Sequence, residues 1–201
     1  IQIYNLNEDS RRFVKEEGST LILEAGYRET SGVAFRGDVV HVSVVRRGPD
    51  VVTVVDCGDG ERAVRDTRIS LTLAPGSTTA DLQREVLDAM GLPLGYIEPV
   101  ENPRPLLGGF TAHGPAADYL DQVSEEIGCP WFVQDGHLII LRPGDALPEN
   151  QAELVTDDTG LVGSPAEVMK ETDGRQRVQG VRWKMLLRPD ARPGRLYQVE
   201  G

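Results

Sequence analysis

The chain has 201 residues, of which 39% are hydrophobic and 26% charged, the balance of a soluble globular protein with one or two domains. Its formal net charge of −11 argues against a general affinity for DNA or anionic lipid, because a surface of that sign repels both. No stretch approaches the roughly 18 apolar residues of a membrane-spanning helix, and no signal peptide is visible. The chain starts at Ile1 without a methionine, so we expect a segment of a longer chain.

Residues 1–73 predict a small antiparallel barrel or sandwich. The predicted elements are a strand end at 1–6, a helix capped by Asn7 that runs to Glu17 and stops at Gly18, strands at 19–25, 33–46 and 51–55, a short helix at 61–66 and a strand at 68–73. Two β-branched runs around Gly48-Pro49-Asp50 predict an antiparallel pair. Alternation along the first run places Val40, Val42 and Val44 on one face and Val39, His41, Ser43 and Val45 on the other.

Residues 74–156 predict a small α+β domain. Its predicted elements are helices at 78–90 and 115–127, a loop rich in proline and glycine at 92–109, and a hairpin at 131–141. Thr78 and Asp81 resemble a capping box at the start of the first helix. The hairpin is the clearest local signal, because Asp135-Gly136 between two apolar runs supplies the two positive φ angles of a type I′ turn.

The two predicted helices share a pattern. Gly91 and Pro93 follow the first helix, and Gly128 and Pro130 follow the second at the same spacing. The apolar positions align as well: Leu82, Val86 and Met90 with Tyr119, Val123 and Ile127. Either a helix–Gly–x–Pro–strand unit is repeated, or two helix ends look alike.

Residues 157–201 predict the start of a second β-rich domain. A polar stretch extends to Gln179, and Gly180–Leu187 then predicts a strand with one apolar face. The proposed members of that face are Val181, Trp183, Met185 and Leu187. A turn at 188–194 leads into a last strand at 195–200.

The stretch Asp56-Cys57-Gly58-Asp59-Gly60-Glu61 has the composition of a binding loop but fails each test of one. An EF-hand counted from Asp56 places glycines at ligand positions 3 and 5. A phosphate loop would not be acidic, and a redox motif would need a second cysteine near Cys57. We therefore predict a turn in which Gly58 and Gly60 permit positive φ and Asp59 bonds its own backbone. We expect Cys57 and the only other cysteine, Cys129, to be free and buried.

No combination of side chains predicts catalysis. The histidines His41, His113 and His137 have no metal-ligand spacing and are expected in a strand, a glycine-rich loop and just after a hairpin turn. Two acid pairs remain as candidates, Glu125-Glu126 and Asp157-Asp158. Ser164 follows a glycine but lacks the second glycine of a nucleophile elbow. The segment Leu106–Phe110 is either an exposed contact surface or a packed segment. We predict no catalytic, cofactor-binding or metal-binding residue, and no enzyme.

The order and spacing of several segments resemble the baseplate hub proteins of contractile-tailed and related bacteriophages, the Mu-like tail hub group. The segments are GSTLILEAGY (18–27), FRGDV (35–39), RRGPD (46–50), the acidic run 58–70, Gly76–Thr78, the hairpin 131–140, TGLVGSP (159–165) and LLRPDARPGRLYQVE (186–200). Together they span almost the whole chain, although no single one is specific.

The resemblance implies a fold and a set of partners. It implies α+β subunits with antiparallel tube-type β-barrel domains at 1–73 and 157–201 around a small α+β domain at 74–156. Three subunits would form a homotrimer with a ring of six barrels that joins the six-fold tail tube to the three-fold central spike. The implied partners are the tube protein, the spike protein and other baseplate proteins, with DNA only passing through the lumen and no membrane binding. The implied location is the virion tail baseplate, after assembly in the host cytoplasm.

Two rival functions remain open from the sequence. The first is the spike base of a type VI secretion system or a tailocin, which shares the hub architecture. The second is a cell-wall hydrolase of a tail, with Glu98 and Asp118 as the acids to test. As subunit contacts we name Arg46, Arg47 and the turn 192–195.

Overall fold

The computed structural model of the protein describes residues 1–16, 19–27, 31–148, 151–172 and 176–201. In that part of the chain the elements are, in order, β1 (Gln2–Tyr4), α1 (Glu8–Val14), β2 (Thr20–Ala25), β3 (Gly32–Arg47), β4 (Asp50–Gly58), α2 (Glu61–Asp66), β5 (Arg68–Leu73), α3 (Thr79–Met90), β6 (Leu94–Ile97), β7 (Phe110–Pro115), α4 (Ala116–Ile127), β8 (Trp131–Gln134), β9 (His137–Ile140), β10 (Glu153–Val155), β11 (Ala166–Thr172), β12 (Gln176–Arg182) and β13 (Tyr197–Val199).

The fold is mixed α+β and consists mostly of sheets, which confirms the predicted class. The chain divides into two compact units: unit 1 is Ile1–Leu23 with Phe35–Asp145, and unit 2 is Glu24–Ala34 with Ala146–Gly201. The described strands form sheets of two to four strands, and none of these sheets closes into a barrel. The predicted division at residues 73 and 156 stays a prediction.

The core of unit 1 lies between α3, α4 and the strands around them. Its fully buried members are Leu82 and Val86 from α3, Leu120 and Val123 from α4, and Leu138 and Ile140 from β9. Strand β5 pairs antiparallel with β7, while β9 lies between β6, which is parallel to it, and β8, which is antiparallel. The order strand–helix–Gly–x–Pro–strand therefore occurs twice, and both copies end beside β9.

Local signals fix the ends of these helices. The Asn7 side chain accepts a hydrogen bond from the Ser10 N–H at 2.7 Å, and Thr78 with Asp81 forms the predicted capping box. Gly91 and Gly128 end α3 and α4 in the left-handed conformation, with φ of 63° and 67°. These predictions are confirmed.

The first helix is shorter than predicted. It ends at Val14 rather than Glu17, and the predicted stop at Gly18 lies outside the described residues, as does Glu17 itself.

The segment 92–109, predicted as loop, contains β6. This four-residue strand contains Gly95 and is flanked by prolines, so its sequence has no strand pattern. It forms because β9, which is far away in the chain, pairs with it in parallel.

The four-stranded sheet of β1, β4, β3 and β2, in that order, carries a β-bulge that corrects one prediction. Val39 pairs with Cys57 but His41 pairs with Asp56, so Val40 is an extra residue on β3. A bulge reverses the alternation of side chains, so Val39 lies on the face of Val42 instead of the opposite one. Strict alternation read from the sequence cannot include this shift.

Unit 2 contains two small sheets. Strand β10 pairs parallel with β13, and β11 pairs antiparallel with β12 over seven residue pairs. The strand predicted at Gly180–Leu187 was wrong in its bounds, because β12 starts at Gln176, ends at Arg182 and is followed only by a bridge at Met185. The polar sequence before Gly180 gave no strand signal, because it lacks an alternation of apolar and polar residues.

Candidate assembly interface

The four-stranded sheet exposes apolar side chains at its flanking strands. Tyr4, Val52 and Val45 are paired in register and form one row across β1, β4 and β3. Val52 is fully buried, yet Tyr4 is 55% exposed and Val45 44% exposed. The central residue of this row is thus buried, while its neighbours on both sides are open to solvent.

The opposite face of the sheet repeats this arrangement. Ile3, Thr53 and Val44 form the row there, with Thr53 fully buried and Val44 exposed. The Thr53 hydroxyl has no hydrogen-bond partner among the described residues. Apolar surface on both faces of one sheet is typical of a surface that another protein covers.

Strand β3 also has an open edge. The Val39 N–H donates to the Ser19 carbonyl at 2.9 Å, immediately before β2 starts at Thr20. Since β2 runs away from that point toward the short connection to β3, none of the described strands neighbours the outer edge of the second half of β3. That half ends in the exposed Arg46 and Arg47, and charged residues on an edge limit nonspecific strand pairing.

Three of the contact residues named from the sequence, Arg47, Arg192 and Arg195, have partners within the chain. The Arg47 guanidinium donates to Gln2 Oε1 at 3.3 Å, and the Arg192 guanidinium donates to the Val33 carbonyl at 3.1 Å within unit 2. Arg195 lies 3.7 Å from Glu153 and 3.5 Å from Asp190. Their role as subunit contacts stays a prediction.

The acidic stretch at 56–61 is a structural junction rather than an isolated turn. Strand β4 continues through Gly58, so the corner consists of Asp59 and Gly60. The Asp59 carboxylate accepts hydrogen bonds from the N–H groups of Asp135 and Gly136 at 2.5 and 2.9 Å. The predicted bond of Asp59 to its own backbone is thus replaced by a long-range one that fixes the β8–β9 turn.

The glycines of this stretch have different roles. Gly60 has φ of 61° as predicted, and a Cβ there would lie 2.7 Å from Val133 Cγ1 of β8. Gly58 does not adopt positive φ; a Cβ there would instead lie 2.7 Å from Glu61 Oε2. Cys57 is half-buried rather than buried, whereas Cys129 is buried, and burial raises the pKa of the Cys57 thiol.

A polar cluster surrounds Glu98, which is buried. Its carboxylate accepts hydrogen bonds from the Arg142 guanidinium at 3.1 Å and from the Tyr96 hydroxyl at 2.9 Å. Hydrogen bonding to this carboxylate raises the pKa of Tyr96. Asp118, the other acid of the hydrolase hypothesis, is exposed in the first turn of α4. The role of these two acids in a hydrolase stays a prediction.

The histidines lie apart and are exposed: His41 in β3, His113 in β7 and His137 at the start of β9. The loop predicted around His113 is therefore a strand. In the part of the chain that the structure describes, no three His, Cys, Asp or Glu side chains are grouped closely enough to hold a metal ion. Likewise, no helix there is long and apolar enough to cross a bilayer.

The other candidates are placed as follows. Glu126 accepts a hydrogen bond from Arg104 at 3.0 Å, while Glu125, Asp157, Asp158 and Ser164 are exposed. In the segment Leu106–Phe110, Leu106 is buried and Phe110 packs edge-to-face on Tyr119 with ring centroids 6.1 Å apart. Leu107 is 82% exposed, so both alternatives for this segment hold for different residues.

Comparison with known proteins gives structural neighbours only. The sequence matches no protein-family model and no curated protein. Among solved structures, it is similar to the tail protein from Neisseria meningitidis MC58, with a TM-score of 0.44, 13% identity and coverage of 85% of this chain and 57% of the other. It is also similar to the 43 kDa tail protein of prophage MuSo2 from Shewanella oneidensis, with a TM-score of 0.42, 11% identity and coverage of 94% and 66%. The chain thus spans about three fifths of the length of these two proteins, and TM-scores this low do not establish a common fold.

Proposed function

We propose that this protein is a structural component of a phage-type tail, a baseplate hub subunit that forms a homotrimer between the six-fold tube and the three-fold spike. The observation that carries the proposal is the ordered series of segments from Gly18 to Glu200 that resembles the tail hub group. In this proposal the protein is not an enzyme, and its site is the virion baseplate.

The surface of the four-stranded sheet supports a role in assembly. Tyr4, Val44 and Val45 stay exposed there, whereas the helices of unit 1 pack around a separate core. The order β1-β4-β3-β2 leaves the described four-stranded sheet open at both ends. We therefore place this sheet in the wall of a tube-type barrel that further strands complete, with obligate subunit contacts of more than about 2,000 Å².

The charge distribution supports a passage for DNA. Unit 1, which contains most of the four-stranded sheet, holds 21 acidic residues against 12 basic ones. The acidic excess of unit 1 as a whole repels the phosphate backbone, so DNA that passes the unit is not retained by it. A role in holding DNA would need the opposite sign.

The test is the size of the assembled protein. Light scattering on the wild-type chain, alone and with its tube and spike proteins, should give a trimer or a larger ring. Val45→Asp should weaken assembly at least tenfold, because burying a valine contributes about 1.5–3 kcal/mol and a charge there opposes burial. Val162→Asp is the matched control, a similarly exposed valine outside the four-stranded sheet. A chain that stays monomeric alone and with both partners would refute the proposal.

A further inference from the structure

The surface of unit 1 contains a pocket of about 440 Å³ beside the C-terminal half of α4, which we call the Trp131 pocket. Its lining residues come from α4, the connection after it and the start of β8: Asp121, Ser124, Glu125, Gly128, Pro130 and Trp131. Asp121 and Glu125 are at positions i and i+4 of α4, so their side chains lie on one face, one helical turn apart. An indole ring and two carboxylates therefore line the same cavity.

The two acids of this pocket have no cationic partner in the part of the chain that the structure describes. Asp121 accepts a hydrogen bond from the Trp131 indole N–H at 2.6 Å, and this neutral donor leaves the charge of the carboxylate uncompensated. The Glu125 carboxylate has no hydrogen bond or ion pair with another described residue, although the next residue, Glu126, pairs with Arg104 at 3.0 Å. The pocket thus keeps two negative charges.

The end of α4 adds to the negative potential in the pocket. The C-terminus of a helix carries a partial negative charge, which cations stabilise and acids oppose. The last turn of α4 has no basic residue and holds Glu125 instead. Glu125 is therefore unfavourable for the isolated helix, and such conflicts with a local rule are typical of functional sites.

A buried hydroxyl of the same pocket is also unsatisfied. Ser124 is 6% exposed, and its Oγ has no hydrogen-bond partner among the described residues. Buried hydroxyls usually have such a partner, and an N–H donor that enters the pocket would supply one. The unpaired acids, the helix end and this hydroxyl all favour a cationic donor as the occupant.

We propose that the Trp131 pocket binds an arginine side chain of a partner protein. A guanidinium group is planar, so it stacks on an indole ring while its N–H groups donate to carboxylates. It has five N–H donors and no acceptor, which matches a lining that offers carboxylate and hydroxyl oxygens and no cation. A lysine ammonium has the same charge but cannot stack in this way. The inference goes beyond the proposed function and does not depend on it, because the pocket lies in unit 1 of a single chain.

The experiment titrates the wild-type chain with single blocked amino acids and follows the indole N–H resonances by NMR. Nα-acetyl-arginine amide should shift the Trp131 resonance saturably and leave that of Trp183, in unit 2, unchanged. Nα-acetyl-citrulline amide has the same shape without the charge and should bind at least about fivefold more weakly. Nα-acetyl-lysine amide should bind at least about twofold more weakly than the arginine probe. The absence of a shift with arginine, or equal affinity for citrulline or lysine, would overturn the proposal.

A substitution in the pocket tests the role of its charge. Glu125→Gln should weaken binding of the arginine probe by about two- to fivefold, because it removes one exposed ion pair. Glu85→Gln is the matched control, since it makes the same change at an exposed glutamate of α3 outside the pocket, and it should bind like wild type. If Glu125→Gln binds the arginine probe as tightly as wild type, the pocket assignment is wrong. The comparison of arginine with citrulline needs no variant, so it decides the question even if Glu125→Gln does not fold.

Discussion

Removing the Asp59 carboxylate should destabilise unit 1 by loosening the β8–β9 turn. Asp59 accepts hydrogen bonds from two consecutive N–H groups, those of Asp135 and Gly136. Each hydrogen bond to a charged acceptor contributes about 1.5–3 kcal/mol when buried. Asp135 is exposed and Gly136 is half-buried, so water replaces part of what is lost. We therefore expect Asp59→Ala to lower the free energy of unfolding by about 1–3 kcal/mol.

Two further variants separate hydrogen bonding from charge. Asp59→Asn keeps one acceptor oxygen and should lose less stability than Asp59→Ala. Asp56→Ala removes an exposed acid three residues earlier and should change stability by no more than about 0.5 kcal/mol.

The assay is urea denaturation followed by the fluorescence of Trp131, the first residue of β8 in the hairpin that the turn closes. A Trp183→Phe background makes Trp131 the only tryptophan, because the chain has two. If Asp59→Ala is as stable as Asp56→Ala in this background, the two hydrogen bonds do not hold the hairpin, and the role assigned to the acidic stretch is wrong.

Three more predictions concern backbone strain, pH and the ion pair of Glu98. Gly60 and Gly48 share a φ of 61°, so replacing either one with alanine should lower the free energy of unfolding by about 1–2 kcal/mol. Of the two, only Gly60 has a side chain within 4 Å of the added Cβ, so Gly60→Ala should unfold at a lower urea concentration than Gly48→Ala. Equal urea midpoints would contradict the steric argument. Hydrogen bonds, first from the Thr78 backbone N–H, lower the pKa of Asp81, so its capping contribution is present above the ordinary pKa of about 3.9 and is lost as the pH falls through the lowered value. A carboxyl NMR titration should place Asp81 below 3.9, and Thr78→Ala, which removes the side-chain hydrogen bond, should raise it. Glu98→Gln weakens the ion pair between the buried Glu98 and the exposed Arg142 and should lower the urea midpoint; an unchanged midpoint would show that solvent replaces the pair.

The sequence alone predicted the helix caps and the β8–β9 turn correctly, because the residues that determine these features are close neighbours in the chain. Asp135 and Gly136 have φ of 51° and 78°, as a type I′ turn requires, and the capping residues before α1 and α3 make the predicted bonds. A cap or a two-residue turn depends on the side chains within a few positions. Sequence alone therefore contains the information that decides it.

Features decided by distant residues were missed. Strand β6 exists because β9, more than 40 residues later, offers a parallel partner. The Asp59 carboxylate bonds to residues 76 and 77 positions away, and its own neighbours favour a self-contained turn. A signal was present in retrospect, because the turn at 135–136 carries N–H groups that need an acceptor.

The exposed valines of the four-stranded sheet are a further feature that the sequence pattern does not predict, and they bear on the proposed function. A β-branched run such as Val39–Val45 predicts a strand, and valines in strands are usually covered by packing on at least one face. The structure keeps the strand but leaves Val44 and Val45 exposed on opposite faces. Local pattern and burial thus disagree at this sheet, while they agree in the core between α3 and α4. Such disagreements concentrate at functional surfaces, because selection for binding maintains apolar residues that folding of one chain does not require. The valines of β3 are therefore better explained by a covered state of the sheet than by the stability of the single chain.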